Sequence, residues 1–299
     1  MLNLNLTNKE KSEVKFEIYN FPDGQKQVKI HAPSRALYPE GSKNVTILSR
    51  MNNFQDLELI ICSVKSLTLL GFEEIHLYCP YFLGCRSDRV FEVGTNNYLK
   101  HVICPIINSL NFKSVTVLDP HSDVLEACLN GFVKIDNKSL VIFAIKDLYP
   151  EEGCLNDNAI LISPDAGALK KIHKIADAIG YTGEILCCTK NRDEHGKLSN
   201  LNIPLNYEHV EKDFILIDDI CDGGTTFVNV GKRIWDYRVS TGANSSTFGR
   251  VSLVVTHGMF NNGFIELNRY FKNVYTTNSY RDIHQAFLTA YNIKQLALF

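Results

Sequence analysis

The sequence lacks any apolar run of the roughly 18 residues that a membrane-spanning helix requires. It also lacks an excess of charge, because 31 basic and 33 acidic residues leave a net charge of −2. The first absence excludes a membrane-embedded chain, and the second argues against a protein that binds nucleic acid through a strongly basic surface. The stretch Met1–Val14 has neither the basic start nor the apolar segment of a signal peptide. We therefore expect a cytoplasmic protein without membrane or nucleic-acid partners.

Several common site patterns are also missing. The nine cysteines are odd in number and form no C-x-x-C pair, which favours buried free thiols in a reducing compartment over disulfides or a zinc site. The patterns G-x-x-x-x-G-K-[ST], G-x-G-x-x-G, H-E-x-x-H and G-x-S-x-G do not occur. Their absence excludes the usual forms of P-loop kinase, zinc protease and serine hydrolase.

The order of the apolar segments predicts an α/β protein. Residues 13–19 and 27–31 alternate in the strand period around the turn Phe21–Gly24, which predicts a hairpin. Short apolar runs then alternate with helical stretches, and Leu140–Ile145 has the composition of one of these strands. This alternation predicts parallel sheets flanked by helices.

A polar stretch at residues 149–158 interrupts this pattern, and the same alternation starts again after it. A chain of 299 residues is long enough for two domains. We therefore predict domains at 1–148 and 149–299, with the last helix a candidate for packing back on the first domain. The segment 189–206 has few large apolar residues and is predicted to be a long mobile loop, of the kind that often serves as a lid.

The most informative segment is Phe214–Phe227, in which an apolar strand runs into two carboxylates, a turn with two glycines, and a helix that begins with threonines. Glycines let backbone N–H groups approach an anion closely, and the helix N-terminus adds the positive end of its dipole. Two carboxylates suit the vicinal hydroxyls of a ribose. The plain structural reading, a tight turn with a capping side chain, remains the alternative.

This segment resembles the phosphoribosyl-diphosphate (PRPP) binding motif shared by type I phosphoribosyltransferases and PRPP synthetases. A phosphoribosyltransferase would leave the first 150 residues unexplained, whereas the PRPP synthetase resemblance extends from about residue 20 to about residue 280. It implies two phosphoribosyltransferase-like (Rossmann-like) domains. Six further segments match the family in order: Phe21–Gln25, Arg86–Arg89, Leu118–His121, Ser163–Gly167, Thr189–Arg192 and Thr256–Phe260.

The resemblance implies a Mg²⁺-dependent enzyme that moves the β,γ-diphosphate of ATP to the anomeric hydroxyl of ribose 5-phosphate. It also implies a homo-oligomer, a dimer or hexamer, since in the family the segment at Phe21 serves a neighbouring subunit's site. The implied roles are as follows: ATP binding by Phe21, Asp23, Gln25, Arg86 and Asp88; metal binding by His121 and Asp165; catalysis by Lys190 and Arg192; ribose-phosphate binding by Asp218, Asp219, Asp222, Gly223, Gly224, Thr225 and Thr226.

Three departures from the family pattern leave alternatives open. In the phosphate turn, Gly223 stands where a threonine is usual and Thr225 where a glycine is usual. Gln25 replaces a glutamate near adenine, and the nucleotide segment has Ser87 and Val90 where the family is more polar. These changes touch the ends of the substrates. The acceptor could therefore be a ribose 5-phosphate ester such as ADP-ribose, whose product would serve NAD synthesis. A non-catalytic regulator related to PRPP synthetases is the third reading.

Overall fold

The apolar runs fold into two parallel sheets in a computed structural model, which describes residues 1–31, 43–151, 154–192 and 198–299. The side chains of residues 190–192 and 198–200 lie outside this description. The chain divides into two compact units, one of Met1–Asp136 with Phe299 and the other of Asn137–Leu298. The sequence pattern places the division after residue 148, and that domain boundary stays a prediction.

The first unit carries a five-stranded sheet and a separate hairpin. Its elements are β1 (Leu2–Asn5), β2 (Phe16–Asn20), β3 (Lys26–Ile30), β4 (Asn44–Leu48), α1 (Phe54–Leu69), β5 (Glu74–Tyr78), α2 (Cys104–Ser109, after the π-helical turn Leu99–Ile103), β6 (Ser114–Leu118), α3 (Val124–Cys128) and β7 (Phe132–Ile135). The sheet order is β1-β4-β5-β6-β7, with parallel pairing throughout. Strands β2 and β3 form the predicted antiparallel hairpin.

Burial in the first sheet follows from its topology. Strands β4 to β7 lie in chain order, so right-handed crossovers place the connecting helices on one face. The covered face buries alternate residues such as Val45, Ile47 and Leu77, while Thr46 and His76 between them stay partly exposed. Alternation of this kind marks a sheet with one packed face.

The second unit carries a six-stranded parallel sheet. Its elements are α4 (Lys138–Leu148), α5 (Cys154–Asn158), β8 (Ala159–Ser163), α6 (Ala166–Ile179), β9 (Ile185–Cys187), β10 (Thr189–Arg192), β11 (Leu198–Asn202), β12 (Asp213–Cys221), α7 (Thr225–Ser240), β13 (Val251–Gly258), α8 (Ile265–Asn268), β14 (Asn273–Thr277), α9 (Gln285–Ala290) and β15 (Ile293–Leu296). The sheet order is β15-β14-β13-β12-β8-β9, and β10 pairs with β11 in a small antiparallel ladder.

The direction of strand addition reverses between β8 and β12. From β8 the chain passes through α6 to β9 on one side, and from β12 it proceeds to β13, β14 and β15 on the other. Helices therefore cover both faces, and apolar side chains are buried on each, such as Leu216 on one and Ile215 on the other. Open α/β sheets bind their ligands at such a reversal, beyond the carboxyl ends of the strands.

Two sequence-based assignments differ from the structure. The predicted strand Leu140–Ile145 is wrong, since these residues lie within helix α4. A short apolar run does not distinguish a strand from a buried helix, and the buried residues Leu140, Val141, Ala144 and Leu148 follow the helical spacing. The segment 189–206, predicted as a loop, contains the β10–β11 ladder, while residues 193–197 lie outside the described residues. No helix in the described ranges is long and apolar enough to cross a membrane.

Candidate active site

Three carboxylates lie at the reversal point of the second sheet. Asp165 follows β8 and caps helix α6, where its Oδ1 accepts a hydrogen bond of 3.1 Å from the Ala168 N–H. Asp218 and Asp219 lie near the end of the adjacent strand β12. Parallel pairing of β8 and β12 brings these carboxyl ends to the same edge of the sheet.

The carboxylates are close enough to influence one another. Burial raises the pKa of Asp218 well above its ordinary value, and the charges of Asp219 and then Asp165 raise it further. Crowded oxygen ligands of this kind suit Mg²⁺, which prefers oxygen donors and often binds through one or two carboxylates plus substrate phosphates. The structure's described residues contain no group of three or more His, Cys, Asp or Glu side chains able to hold a metal ion alone.

The turn after β12 has the shape that its glycines predict. Gly224 has a positive φ of 79° and immediately precedes helix α7. Its carbonyl accepts a hydrogen bond of 3.0 Å from the Val228 N–H, which starts the helix. Thr225 and Thr226 are the first two helical residues. Their hydroxyls and the free N–H groups of the first turn together form a favourable environment for an anion.

A second loop braces this turn. After β13, the N–H of Asn261 donates to the Asp222 carbonyl at 2.9 Å, and the Asn261 side-chain Nδ2 donates to Asp222 Oδ1 at 2.6 Å. The N–H of Met259 donates to the Cys221 carbonyl at 2.8 Å. The loop thus fixes the conformation of the turn at two consecutive residues.

A buried polar cluster lies beside the same edge. His257 on β13 is 3% exposed, and its Nδ1 lies 2.8 Å from the hydroxyl of the fully buried Ser279. The Thr256 carbonyl accepts hydrogen bonds from Thr277 Oγ1 at 2.7 Å and from Ser279 Oγ at 3.3 Å. These bonds connect the ends of β13 and β14, because buried polar groups need partners.

In the first unit, the β2–β3 turn presents the predicted adenine-contacting residues. The Phe21 N–H donates to the Gln25 carbonyl at 2.8 Å, and the Gln25 N–H donates to Asp23 Oδ1 at 3.1 Å. The Phe21 ring is exposed and meets the Tyr19 ring edge-on at 5.5 Å. The turn is well formed, and its aromatic group is accessible to a ligand.

The other predicted residues of the first unit lie after β5 and β6. Arg86 is exposed, whereas the Asp88 side chain is largely buried and its Oδ1 lies 3.5 Å from Arg89 Nε. His121 is exposed and follows Asp119, which is buried with a φ of 44°. Positive φ is uncommon outside glycine and often marks functional loops.

For the two predicted catalytic residues, the structure describes only the backbone. Lys190 and Arg192 lie on β10, where Lys190 pairs with Leu201 of β11 and Arg192 pairs with Leu198. Their side chains are outside the described part of the chain. The ladder nevertheless continues from β9, the neighbour of β8.

Comparisons with known proteins support the resemblance. No protein-family model matches the sequence. A ribose-phosphate pyrophosphokinase of Aquifex aeolicus is 27% identical over 265 residues, covering 88% of this chain and 78% of that protein. A ribose-phosphate pyrophosphokinase of Saccharolobus solfataricus is 25% identical over 248 residues, covering 82% and 78%. The phosphoribosylpyrophosphate synthetase structure from Mycobacterium smegmatis aligns with a TM-score of 0.72 at 16% identity, covering 95% of this chain and 86% of its own.

The chain is a distant sequence relative of ribose-phosphate pyrophosphokinases over most of its length. Its fold is the predicted α/β arrangement of parallel sheets flanked by helices. The second unit brings together Asp165, the pair Asp218 and Asp219, and the turn Asp222–Thr226. The family segments of the first unit lie after strands of its own sheet and on its hairpin. That they form one site with the second unit stays a prediction.

Sequence reasoning about the family motifs missed two residues that shape the candidate site. Asn261 holds Asp222, and Ser279 holds His257. The segment Thr256–Phe260 predicted that this region belongs to the site, yet both contacts join residues more than 20 positions apart. Such pairings depend on the order of strands in the sheet, which one sequence does not state.

Proposed function

We propose that this protein transfers the β,γ-diphosphate of ATP to the anomeric hydroxyl of ribose 5-phosphate, giving PRPP and AMP. In the reaction the O1–Pβ bond forms, the bond from Pβ to the α,β-bridging oxygen breaks, and the hydroxyl loses its proton. The observation that supports this most strongly is the sequence of carboxylates, glycine turn and helix start at the sheet reversal. The relatives named above add independent support.

The acceptor would bind at the end of β12. Asp218 and Asp219 would accept hydrogen bonds from the ribose hydroxyls, and Asp222–Thr226 would hold the 5-phosphate through backbone N–H groups and hydroxyls. The Asn261 contacts to Asp222 would keep this turn rigid. Rigid placement matters because positioning supplies much of the rate enhancement in phosphoryl transfer.

ATP would bind through the first unit. Phe21 would pack against adenine, with Asp23 and Gln25 as polar contacts, while Arg86 and Asp88 would contact the nucleotide. Mg²⁺, when bound, supplies neutralisation of the triphosphate charge, and Asp165 would hold it directly, with His121 acting through water. We expect the protein to be a cytoplasmic homo-oligomer.

Lys190 and Arg192 would stabilise the transferring group. A lysine offers a mobile point charge, and an arginine offers a planar fork that fits phosphoryl oxygens. Both residues lie on the short strand β10, so a single strand would supply both positive charges. Charge stabilisation of this kind lowers the activation barrier most where water is excluded.

A second acceptor is favoured by one feature of the turn. Gly223 carries no side chain where the family pattern has threonine, and Gly223 is only partly buried. At position 223 the turn thus offers one hydroxyl donor fewer, which suits a phosphodiester because a diester has one terminal oxygen fewer than a monoester. ADP-ribose has a free anomeric hydroxyl and such a diester, and its product would be ADP-ribose 1-diphosphate, an activated donor for NAD synthesis.

One experiment separates these proposals. The purified protein is mixed with ATP, Mg²⁺ and either ribose 5-phosphate or ADP-ribose, and the products are followed by ³¹P NMR. AMP together with a new anomeric diphosphate identifies the acceptor. Absence of AMP with both acceptors would contradict the transferase proposal and favour the regulator.

A matched pair of lysine variants tests the catalytic assignment. Lys190→Ala is expected to lower turnover by about 100-fold, the size found when one transition-state donor is removed. Lys174→Ala removes an exposed lysine on α6 and is the control. Equal turnover in the two variants would remove Lys190 from the catalytic residues.

A further inference from the structure

The space above Gly223 is filled by a side chain from another segment. A methyl group built on the Gly223 Cα would lie 2.7 Å from Asn262 Nδ2 and 3.2 Å from Asn262 Cγ. Asn262 belongs to the loop after β13 that also braces Asp222. Its amide therefore occupies the position into which a side chain at residue 223 would project.

The Asn262 amide is available to a ligand. The residue is exposed, and its side chain makes no hydrogen bond within the described ranges. The adjacent Asn261, by contrast, uses its amide to hold Asp222. Of the two neighbouring asparagines, one is committed to the turn and the other presents two N–H donors beside it.

We infer that Asn262 is a specificity-determining residue that donates a hydrogen bond to the 5-phosphate group of the acceptor, in place of the threonine that the family pattern has at position 223. This inference rests on the proposed function for the identity of the acceptor. The amide is longer than a hydroxyl and comes from a separate loop, so it reaches the phosphate from outside the turn. Relative to the family pattern, position 223 thus loses a hydroxyl donor, and the Asn262 amide supplies a donor in its place. We call this replacement the exchange.

Removal of the amide tests the contact directly. A hydrogen bond to a charged group is worth about 1.5–3 kcal/mol, so Asn262→Ala is expected to raise the acceptor KM by about tenfold or more. The kcat and the ATP KM are expected to stay within about twofold, because neither the diphosphate nor the nucleotide meets this amide. Asn262→Asp is expected to raise the acceptor KM further, since it places a carboxylate against a phosphate.

Asn268→Ala is the matched control. Asn268 is an exposed asparagine six positions further along the chain, in α8, and its side chain makes no hydrogen bond among the described residues. Its substitution is expected to leave the acceptor KM unchanged. A similar rise in both alanine variants would indicate a general effect on the loop and would overturn the inference.

A double variant tests the exchange itself. Gly223 does not have a positive φ, so its backbone does not require glycine, and Asn262→Ala removes the side-chain atoms that a Cβ at residue 223 would meet. Gly223→Thr combined with Asn262→Ala is expected to restore the acceptor KM to within about threefold of the wild type, because the threonine hydroxyl again supplies a donor. A double variant as weak as Asn262→Ala alone would contradict the exchange.

Calorimetric binding of ribose 5-phosphate and of ADP-ribose, without ATP, separates this inference from the proposed reaction. If the wild type makes no AMP yet binds an acceptor, and Asn262→Ala weakens that binding, the reaction proposal fails while the phosphate contact stands. If the wild type turns over normally and Asn262→Ala binds both acceptors as tightly as the wild type, the contact fails alone. Comparison of the two ligands shows whether the amide favours the monoester or the diester.

Discussion

The Asp219 backbone N–H donates a hydrogen bond of 2.9 Å to the Asp218 carboxylate, the side chain of the residue before it. This bond favours the charged form of Asp218. It is outweighed by burial and by the charges of Asp219 and Asp165, so that the pKa of Asp218 is raised overall. The folded protein therefore holds an acidic group under conditions that oppose its ionisation.

We predict that Asp218→Asn stabilises the fold while weakening acceptor binding. The unfolded carboxyl titrates near its ordinary value of 3.8 and the folded one at a higher pH. Between these values the folded state retains a proton that the unfolded state has lost, so the free energy of unfolding decreases as the pH rises. The free energy of unfolding of the variant should exceed that of the wild type by an amount that grows from about pH 4 towards neutrality. Each added kcal/mol should raise the Tm by about 2–4 °C.

Thermal denaturation across this pH range measures the effect. Asp236→Asn is the control, because Asp236 is a half-exposed partner of Lys232 on α7. Exposed pairs of this kind contribute little to the free energy of unfolding. A Tm difference between wild type and Asp218→Asn that stays constant with pH would contradict the prediction.

The two turn glycines should respond differently to alanine. Gly224 has a φ of 79°, where an alanine is strained by roughly 1–2 kcal/mol. Gly223 has no such constraint, and a methyl group there would meet only the flexible end of Asn262. Urea unfolding should therefore show a loss of about 1–2 kcal/mol for Gly224→Ala and less than about 1 kcal/mol for Gly223→Ala. The reverse order would show that the contact with Asn262 is the stiffer constraint.

The sequence predicted the central strands β8, β12 and β13 of the second sheet because they are buried on both faces, whereas β14 and β15 were not predicted. Runs such as Phe214–Ile217 are continuous, as parallel strands require. Helix α4 was missed because Leu140–Ile145 is equally apolar, and its burial against the sheet becomes visible only in three dimensions. The contacts of Asn261 and Ser279 escaped for a related reason, since Asp222 follows another strand and His257 lies on one.

A buried histidine anchors the chain beyond the β10–β11 ladder. His209 is 3% exposed, its Nδ1 accepts a hydrogen bond of 3.2 Å from the Asn206 N–H, and its Nε2 lies 2.9 Å from Glu184 Oε2. The ring therefore carries its proton on Nε2. The two residues thus tie the chain that leaves β11 to the chain that enters β9.

We predict that His209→Ala loosens this connection and costs about 1–3 kcal/mol, because it leaves a gap where the buried ring packs edge-on against Phe214. Glu184→Gln keeps a side-chain oxygen that can accept a hydrogen bond from the ring. Because the Glu184 side chain is half-exposed, this substitution should lower the free energy of unfolding by less than about 1 kcal/mol. Hydrogen exchange should show faster exchange of the β10 and β11 amides in His209→Ala. Unchanged exchange there, with lost global stability, would mean that the histidine serves the core alone.

The ring of Phe299 packs within the first unit. It lies 6.1 Å from the Tyr78 ring, and the Arg50 guanidinium stands 5.3 Å above it. Phe299 is 7% exposed, and burial raises the pKa of Tyr78 to about 12. The Phe299 ring thus packs against Tyr78, the last residue of β5. The predicted nucleotide segment Arg86–Arg89 follows this strand in the chain.

We predict that Phe299→Ala destabilises the protein by about 3 kcal/mol, as expected for the loss of a buried phenylalanine ring. Phe287→Ala is the matched control, because that ring is 49% exposed on α9, and it should cost less than about 1.5 kcal/mol. Absorbance titration should show that one tyrosine of Phe299→Ala ionises at lower pH than in the wild type, because Tyr78 gains contact with water. Equal losses of stability in the two variants, with an unchanged tyrosine titration, would show that the Phe299 ring does not hold the end of β5.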